Sequence, residues 1–182
     1  EEGYLKEIPQ FVLPEKPNEL PDAIAQVVRA IRTKPGFSKL GLPNGDIVAF
    51  VPTVRLVDET IEAIKALNLP RLEAYACHAQ TDSKELTAFT NSERRAGEAQ
   101  RATNYAETSV TLSNLRFVID SGYILERDWN PSTCSYQFVV RYHSQAGCTQ
   151  RRGRVGRVLD GEVFRLYTRE AFDNPELFPA AP

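Results

Sequence analysis

The chain predicts an α/β layer fold with a mainly parallel central sheet, and three observations point to it. GDIVAFVP is an apolar run of strand length with little alternation, as strands buried on both faces show, and LRFVIDSG is a second strong strand. Between and before them lie segments with apolar residues at helical spacing. The two kinds of segment alternate along the chain, which is the pattern of helices layered on a parallel sheet.

Taken in order, EEGYLKEIPQFVLPEKPNELP is rich in proline and charge and reads as an extended arm. ELPDAIAQVVRAI then sets Ile24, Val27, Val28 and Ile31 at i, i+3, i+4 and i+7, one face of an amphipathic helix. The turn-rich KPGFSKLGLPNG breaks the chain before GDIVAFVP. TVRLVDETIEAIKAL follows with Val54, Val57, Ile61 and Ile64 at helical spacing. LEAYACHA is a second strand and SKELTAF a short helix behind it. LRFVIDSG, YQFVVRYH and GEVFRLYT complete the set of strands. These segments divide the chain into an arm with its leading helix (1–40), a main domain (41–172) and a short extension (173–182).

Composition narrows the class. With 42% hydrophobic and 25% charged residues among 182, the chain is that of an ordinary globular protein. A formal charge of −2 argues against nucleic-acid binding through overall charge but leaves room for a local basic site. No apolar run approaches the ~20 residues of a membrane span. Cys77, Cys134 and Cys148 are too widely spaced for a metal pair and read as buried thiols of a reducing compartment. Cys77-His78 alone makes no zinc site, and His78 is expected at the surface. No methionine occurs, even at position 1, so the sequence is read as a piece of a longer protein.

In parallel sheets ligands gather beyond the C-terminal strand ends. Pro52-Thr53, Asp120-Ser121-Gly122 and His143-Ser144 occupy such places, with Asp120 organising its turn and Ser144 as a helix N-cap. Next comes QRRGRVGR, Gln150 to Arg157, with four arginines and two glycines in eight residues. If the helix runs from Ser144 to Arg157, then at about 100° per residue Gln150, Arg154 and Arg157 fall within roughly 60° of one another, while Arg151 and Arg152 point elsewhere. Gly153 and Gly156 keep side chains out of the way of an approaching surface. Guanidinium groups match phosphate oxygens, and a glutamine can orient a water for in-line attack. The arrangement suits phosphoryl transfer; its plainer reading is an exposed arginine-rich patch.

QRRGRVGR resembles motif VI of superfamily-two RNA helicases, in the spelling of flavivirus and pestivirus NTPase/helicases. RATNYAETSVTL (101–112) resembles motif V of DEAH-box helicases, GDIVAFVPT resembles motif IV, and FRLYTREAF resembles the DEAH segment past motif VI. The matches keep the family's order over residues 45–172. The resemblance implies a RecA-like three-layer domain, the second of two in an ATP-dependent RNA helicase that moves along or unwinds RNA. It implies Gln150 as the residue that positions the attacking water, with Arg154 and Arg157 as arginine fingers. Thr103 would contact the RNA backbone, and Asn104, Glu107, Thr108 and Ser109 would couple that contact to the nucleotide. Thr53 and Arg55 are further phosphate contacts, Phe89 a stacking partner of the ATP base, and Gly153 part of the nucleotide site.

The chain departs from the pattern in GEAQRATN, where Gln100 and Arg101 replace an apolar run, and in Ser113, where DEAH proteins often carry aspartate. It contains no P-loop GxxxxGK[ST] and no acidic magnesium motif; Asp58-Glu59-Thr60-Ile61 belongs to a solvated helix face. ATP and Mg²⁺ are therefore expected to be held mainly by a first RecA-like domain of the same chain, and the isolated segment is expected to be inactive. The expected partners are RNA, single-stranded or duplex with an overhang, and that first domain. The expected location is intracellular, in the cytoplasm, with a viral or a cellular origin both open. A non-catalytic helicase-like scaffold is the alternative. Asp120, His143 and Ser144 form no hydrolase triad, lacking a nucleophile elbow. Trp129, in the turn-rich ERDWNPST, is expected to pack over the sheet edge, and SYQFVVRYH is a candidate for part of a strand-separating hairpin.

Overall fold

The computed structural model describes residues 3–4, 13–39, 45–70, 72–77, 100–105, 115–153 and 161–181, with 75–77 and 100–105 at the level of the backbone. A 3-10 turn at Pro17–Glu19 leads into α1 (Leu20–Thr33). Then come β1 (Asp46–Phe50), α2 (Val54–Lys65), β2 (Leu72–Cys77), β3 (Gln100–Tyr105) and β4 (Leu115–Asp120). The rest of the described chain forms β5 (Tyr123–Asn130), β6 (Ser135–Tyr142), α3 (Gln145–Arg152), β7 (Glu162–Arg165) and the single-turn α4 (Arg169–Asp173).

Five strands form one sheet in the order β2-β3-β1-β4-β7, every neighbouring pair parallel. The expected α/β class and parallel sheet are thus present. β1, at the centre, is buried along its whole length, as its unbroken apolar run requires. Alternation along the strands sorts residues to two faces. Ile47, Ala49, Phe117, Ile119, Phe164 and Leu166 join the main core with α1 and α2. α1 contributes Leu20, Ile24, Val27, Val28 and Ile31, the predicted stripe, each stabilising by about 1.5–3 kcal/mol when fully buried. On α2 the buried stripe is Leu56, Val57, Thr60, Ile61 and Ile64, while Asp58 and Glu59 face solvent. Phe50, Asp120 and Arg165 alternate onto the other face, where α3 lies against β4. Helices on both faces give the three layers.

Three expectations are corrected. YQFVVRY does not join the main sheet: β6 pairs antiparallel with β5 from Tyr123↔Tyr142 to Asn130↔Ser135 in a separate two-stranded ribbon, a hairpin of the kind for which SYQFVVRYH is a candidate. Much of ERDWNPST is strand, so Trp129 stands on this ribbon, 49% exposed and edge-on to Tyr136, rather than over the sheet edge. Cys148 is buried as expected, but Cys134 is exposed, in the turn joining the two strands, with a positive φ of 50°.

RATNY, the start of the motif V resemblance, is itself a strand. β3 lies between β2 and β1, with Thr103 in register with Val48 and Asn104 with Ala49. At the outer edge of β7, Tyr4 forms a parallel bridge with Arg165, whose backbone N–H donates to Gly3 O at 2.8 Å. The SKELTAF helix and His78 lie outside the described residues.

Candidate functional site: the motif VI helix and the sheet edge

α3 starts where the sequence predicts. Ser144 has extended backbone and its hydroxyl accepts from Gly147 N–H at 3.0 Å, closing one of the free donors of the first turn. The backbone N–H groups of Gln145 and Ala146 donate to Pro179 O and Ala180 O, so the chain beyond α4 ties down the helix entry. The helix ends earlier than predicted. Arg152 is its last residue and Gly153 its C-cap, with backbone N–H bonded to Thr149 O at 3.0 Å. The shared face expected of Gln150, Arg154 and Arg157 is not carried by α3 itself: Arg154 and Arg157 lie beyond its end and outside the described residues.

Within α3 the four residues of the last turn separate by burial. Thr149, Gln150 and Arg152 are exposed, whereas Arg151 is 3% exposed. The buried set Gly147, Cys148 and Arg151 lies at i, i+1 and i+4, one face of the helix. The Arg151 guanidinium donates to Asp120 Oδ1 at 2.9 Å and to Tyr123 O at 2.9 Å, and lies over the Phe50 ring at 5.1 Å. Asp120, 1% exposed at the end of β4, uses Oδ1 also to accept from Gly122 N–H at 2.9 Å, the turn role expected of it. Its Oδ2 accepts from the Tyr167 hydroxyl at 2.9 Å, and Arg165 donates to that hydroxyl at 3.0 Å. Gly122 has φ 80°, and a side chain there would meet the Tyr167 ring at 2.7 Å, so glycine is required.

The charges in this network have clear consequences for its neighbours. Burial, then the Asp120 charge, push the Tyr167 hydroxyl well above its ordinary value and hold it protonated as a donor. Burial and Asp120 push the Cys148 thiol up in the same way, which leaves it an inert core thiol rather than a nucleophile.

The remaining predicted residues fall into two groups. Thr53 caps α2, its hydroxyl accepting from Leu56 N–H at 3.1 Å. Arg55 forms an exposed pair with Glu59 at 3.0 Å and reaches Asn18 Oδ1 at 3.3 Å. Thr53, beyond β1, and the Asp120–Gly122 turn, beyond β4, share the C-terminal edge of the sheet. Thr103 and Asn104 run to the same edge on β3, next to β1. Phe89, Glu107, Thr108 and Ser109 lie outside the described residues. Among the described residues no group of three His, Cys, Asp or Glu could hold a metal ion, and no helix is long and apolar enough to cross a membrane.

Arg151 points away from Gln150 as its spacing predicts, but its buried partner, and the parts played by Tyr167 and Arg165, were not evident from the sequence. A signal for Arg151 was present: it sits three and four residues after Cys148 and Gly147, so a helix that buries those small residues buries it too.

A parallel sheet with helices on both faces, one of them the α3 helix packed on β4, is the layout of a RecA-like domain. Residues 25–159 match the family of helicase conserved C-terminal domains, and the chain belongs to that family, in its DEAH-type superfamily-two branch. It is 36% identical over 139 residues to DHX35 of Homo sapiens, covering 71% of this chain and 20% of that protein. To the ATP-dependent RNA helicase DHX29 of Homo sapiens it is 30% identical over 156 residues, 84% of this chain and 11% of the relative. The chain thus spans a fifth or less of these relatives. The fold matches the crystal structure of the E. coli DExH-box NTPase HrpB, with a TM-score of 0.77 at 21% identity, over 99% of this chain and 20% of that one.

Proposed function

We propose that the chain is the second RecA-like half of an ATP-dependent RNA helicase and supplies the trans-acting part of its ATPase site. The observation that carries this reading is the division of α3: Gln150 exposed in the last turn, Arg151 drawn inward, and the helix stopped at Gly153 just before the next two arginines. An exposed side chain such as Gln150 is available to a nucleotide; one locked to Asp120 is not.

ATP is the substrate, bound mainly by a first RecA-like domain with Mg²⁺, and the described residues here offer neither a phosphate cradle nor a metal site. Gln150 orients a water so that its oxygen attacks the γ-phosphorus in line as the bond to the β-phosphate oxygen breaks. Arg154 and Arg157 balance the charge that spreads over the phosphoryl oxygens. Gly153 leaves the surface low where the nucleotide approaches. Glu107 and Ser109, with Phe89 against the base, complete the nucleotide contacts. Thr53, Arg55, Thr103 and Asn104, toward the C-terminal sheet edge, contact the RNA backbone together with Thr108, so RNA affinity falls steeply with salt. This chain alone turns over no ATP.

The test is RNA-stimulated ATP hydrolysis by the full-length protein with Gln150→Ala, Arg154→Ala and Arg157→Ala. Each folded variant is expected to lose turnover by about 10²-fold or more. Wild-type turnover in all three, or an inactive wild-type protein, makes the chain a helicase-like scaffold instead.

A further inference from the structure

α3 is an eight-residue helix with little apolar surface. It buries Gly147 and Cys148 near its start and Arg151 in its last turn. The start is fixed several times over: by the Ser144 cap, by Pro179 O and Ala180 O, and by Gln145 Nε2 donating to Phe172 O at 2.8 Å. Gly147 lies so close against the His143 ring that a methyl group there would clash with it. At the other end the inward anchor is a guanidinium. It reaches three strand ends at once: Phe50 of β1, Asp120 of β4 and the carbonyl of Tyr123, the first residue of β5.

That geometry has two consequences. A planar guanidinium donating from two nitrogens to two fixed acceptors sets direction as well as distance. It therefore fixes the rotation of the last turn, and with it the direction of Gln150, the residue immediately before. The Asp120 carboxylate is in turn held by Gly122 N–H and by the Tyr167 hydroxyl, so the anchor point is itself rigid.

We propose that Arg151 is a positioning residue of the ATPase site, acting through Gln150 by locking the last turn of α3 onto the strand ends. The proposal rests on the reading that Gln150 orients the attacking water. It separates the roles within QRRGRVGR: one arginine aims the glutamine, while Arg154 and Arg157 meet the phosphates. Lysine is a poor substitute, because a single ammonium on a flexible stem cannot hold Asp120 and Tyr123 O in the same fork.

The experiment is steady-state RNA-stimulated ATPase of the full-length protein, with kcat expressed per active site by titration with ATP and folding followed by thermal melting. The variants are Arg151→Met, Arg151→Lys, Gln150→Ala and the double Gln150→Ala/Arg151→Lys. Arg151→Met is expected to lose kcat by at least about tenfold and Arg151→Lys by about three- to fivefold, with KM for ATP within about twofold of wild type. In the Gln150→Ala background the lysine substitution is expected to change kcat by less than about twofold, since the residue it acts through is gone.

Wild-type kcat per active site in a folded Arg151 variant overturns the proposal, and so does a lysine effect that persists undiminished without Gln150. If Arg151→Met does not fold, the lysine variant decides by the same criteria. Wild-type turnover in Gln150→Ala takes down the catalytic reading of α3 and the proposal with it. Loss in Gln150→Ala with wild-type Arg151 variants overturns the proposal alone.

Discussion

Two adjacent residues, Gln150 and Arg151, are both polar and both in the last turn of one helix, yet one faces solvent and the other is buried. The difference is Asp120, 31 residues upstream, which turns the inward side of the helix into an arginine site. Removing either member of such a buried pair strands the other charge, whereas an exposed pair such as Arg55–Glu59 contributes at most about 1 kcal/mol. Gly153 makes a separate test possible at this scale. Its backbone is ordinary right-handed helix, and a Cβ there would meet Gln150 O and Thr149 O at 3.4 and 3.5 Å, normal contact distances. Gly153→Ala is therefore expected to keep the thermal midpoint of the protein within about 2 °C while raising KM for ATP, measured in the full-length ATPase assay. A large fall in the midpoint with unchanged KM sends the glycine back to a purely structural role.

Among the elements, α1, α2, β1 and β4 were legible because local periodicity and burial agree in them. Ile24, Val27, Val28 and Ile31 report the core face of α1 without help from any other segment. The elements that were misread depend on distant partners. YQFVVRY has the apolar density of a buried strand, but Tyr136 and Phe138 are exposed on a ribbon whose opposite face carries the Arg141 pairs with Glu126 and Asp128. Its residues fit a sheet strand as well as a hairpin strand, and only the pairing with β5 decides between them. The end of α3 was overrun because Gly153 and Gly156 both fit a helix stop, and the choice of the first goes with the Arg151 anchor just before it.

The Ser144 cap, by contrast, is a local device and was legible. Ser144→Ala is expected to cost about 0.5–2 kcal/mol, read as a lower urea midpoint with unchanged slope, and an unchanged midpoint shows that the Pro179 and Ala180 carbonyl bonds suffice.

For the whole molecule, the second face of the sheet is a polar network wrapped in aromatic rings, and this predicts its response to pH. The Cys148 thiol and the Tyr167 hydroxyl are both raised in the folded state by burial. Below their ordinary values both are protonated folded and unfolded, and stability is at its full value. As pH passes 9.0 the unfolded thiol ionises while the folded one does not, and above 10.0 the unfolded phenol follows. Stability is then lost by up to about 1.4 kcal/mol per pH unit for each group. Urea unfolding between pH 7 and 11 is expected to show this decline, with an earlier onset in wild type than in Cys148→Ala. A flat profile contradicts the buried network.

The site was legible as a motif rather than as a geometry. The order of QRRGRVGR after RATNY and GDIVAFVPT pointed to the family, and the fold agrees with it. The rest of the site was not readable because it depends on distant partners: Arg151 is buried only through Asp120, 31 residues upstream.

On the proposed function, Arg154 and Arg157 act in the transition state of ATP hydrolysis. The most direct measurement is the affinity of the full-length protein, with RNA present, for ADP with aluminium fluoride, a mimic of the transferring phosphoryl group, compared with ADP alone. Wild type is expected to bind the mimic far more tightly than ADP. Arg154→Ala and Arg157→Ala should each erase at least about tenfold of that preference while leaving ADP affinity unchanged. Equal preference in wild type and both variants would contradict it.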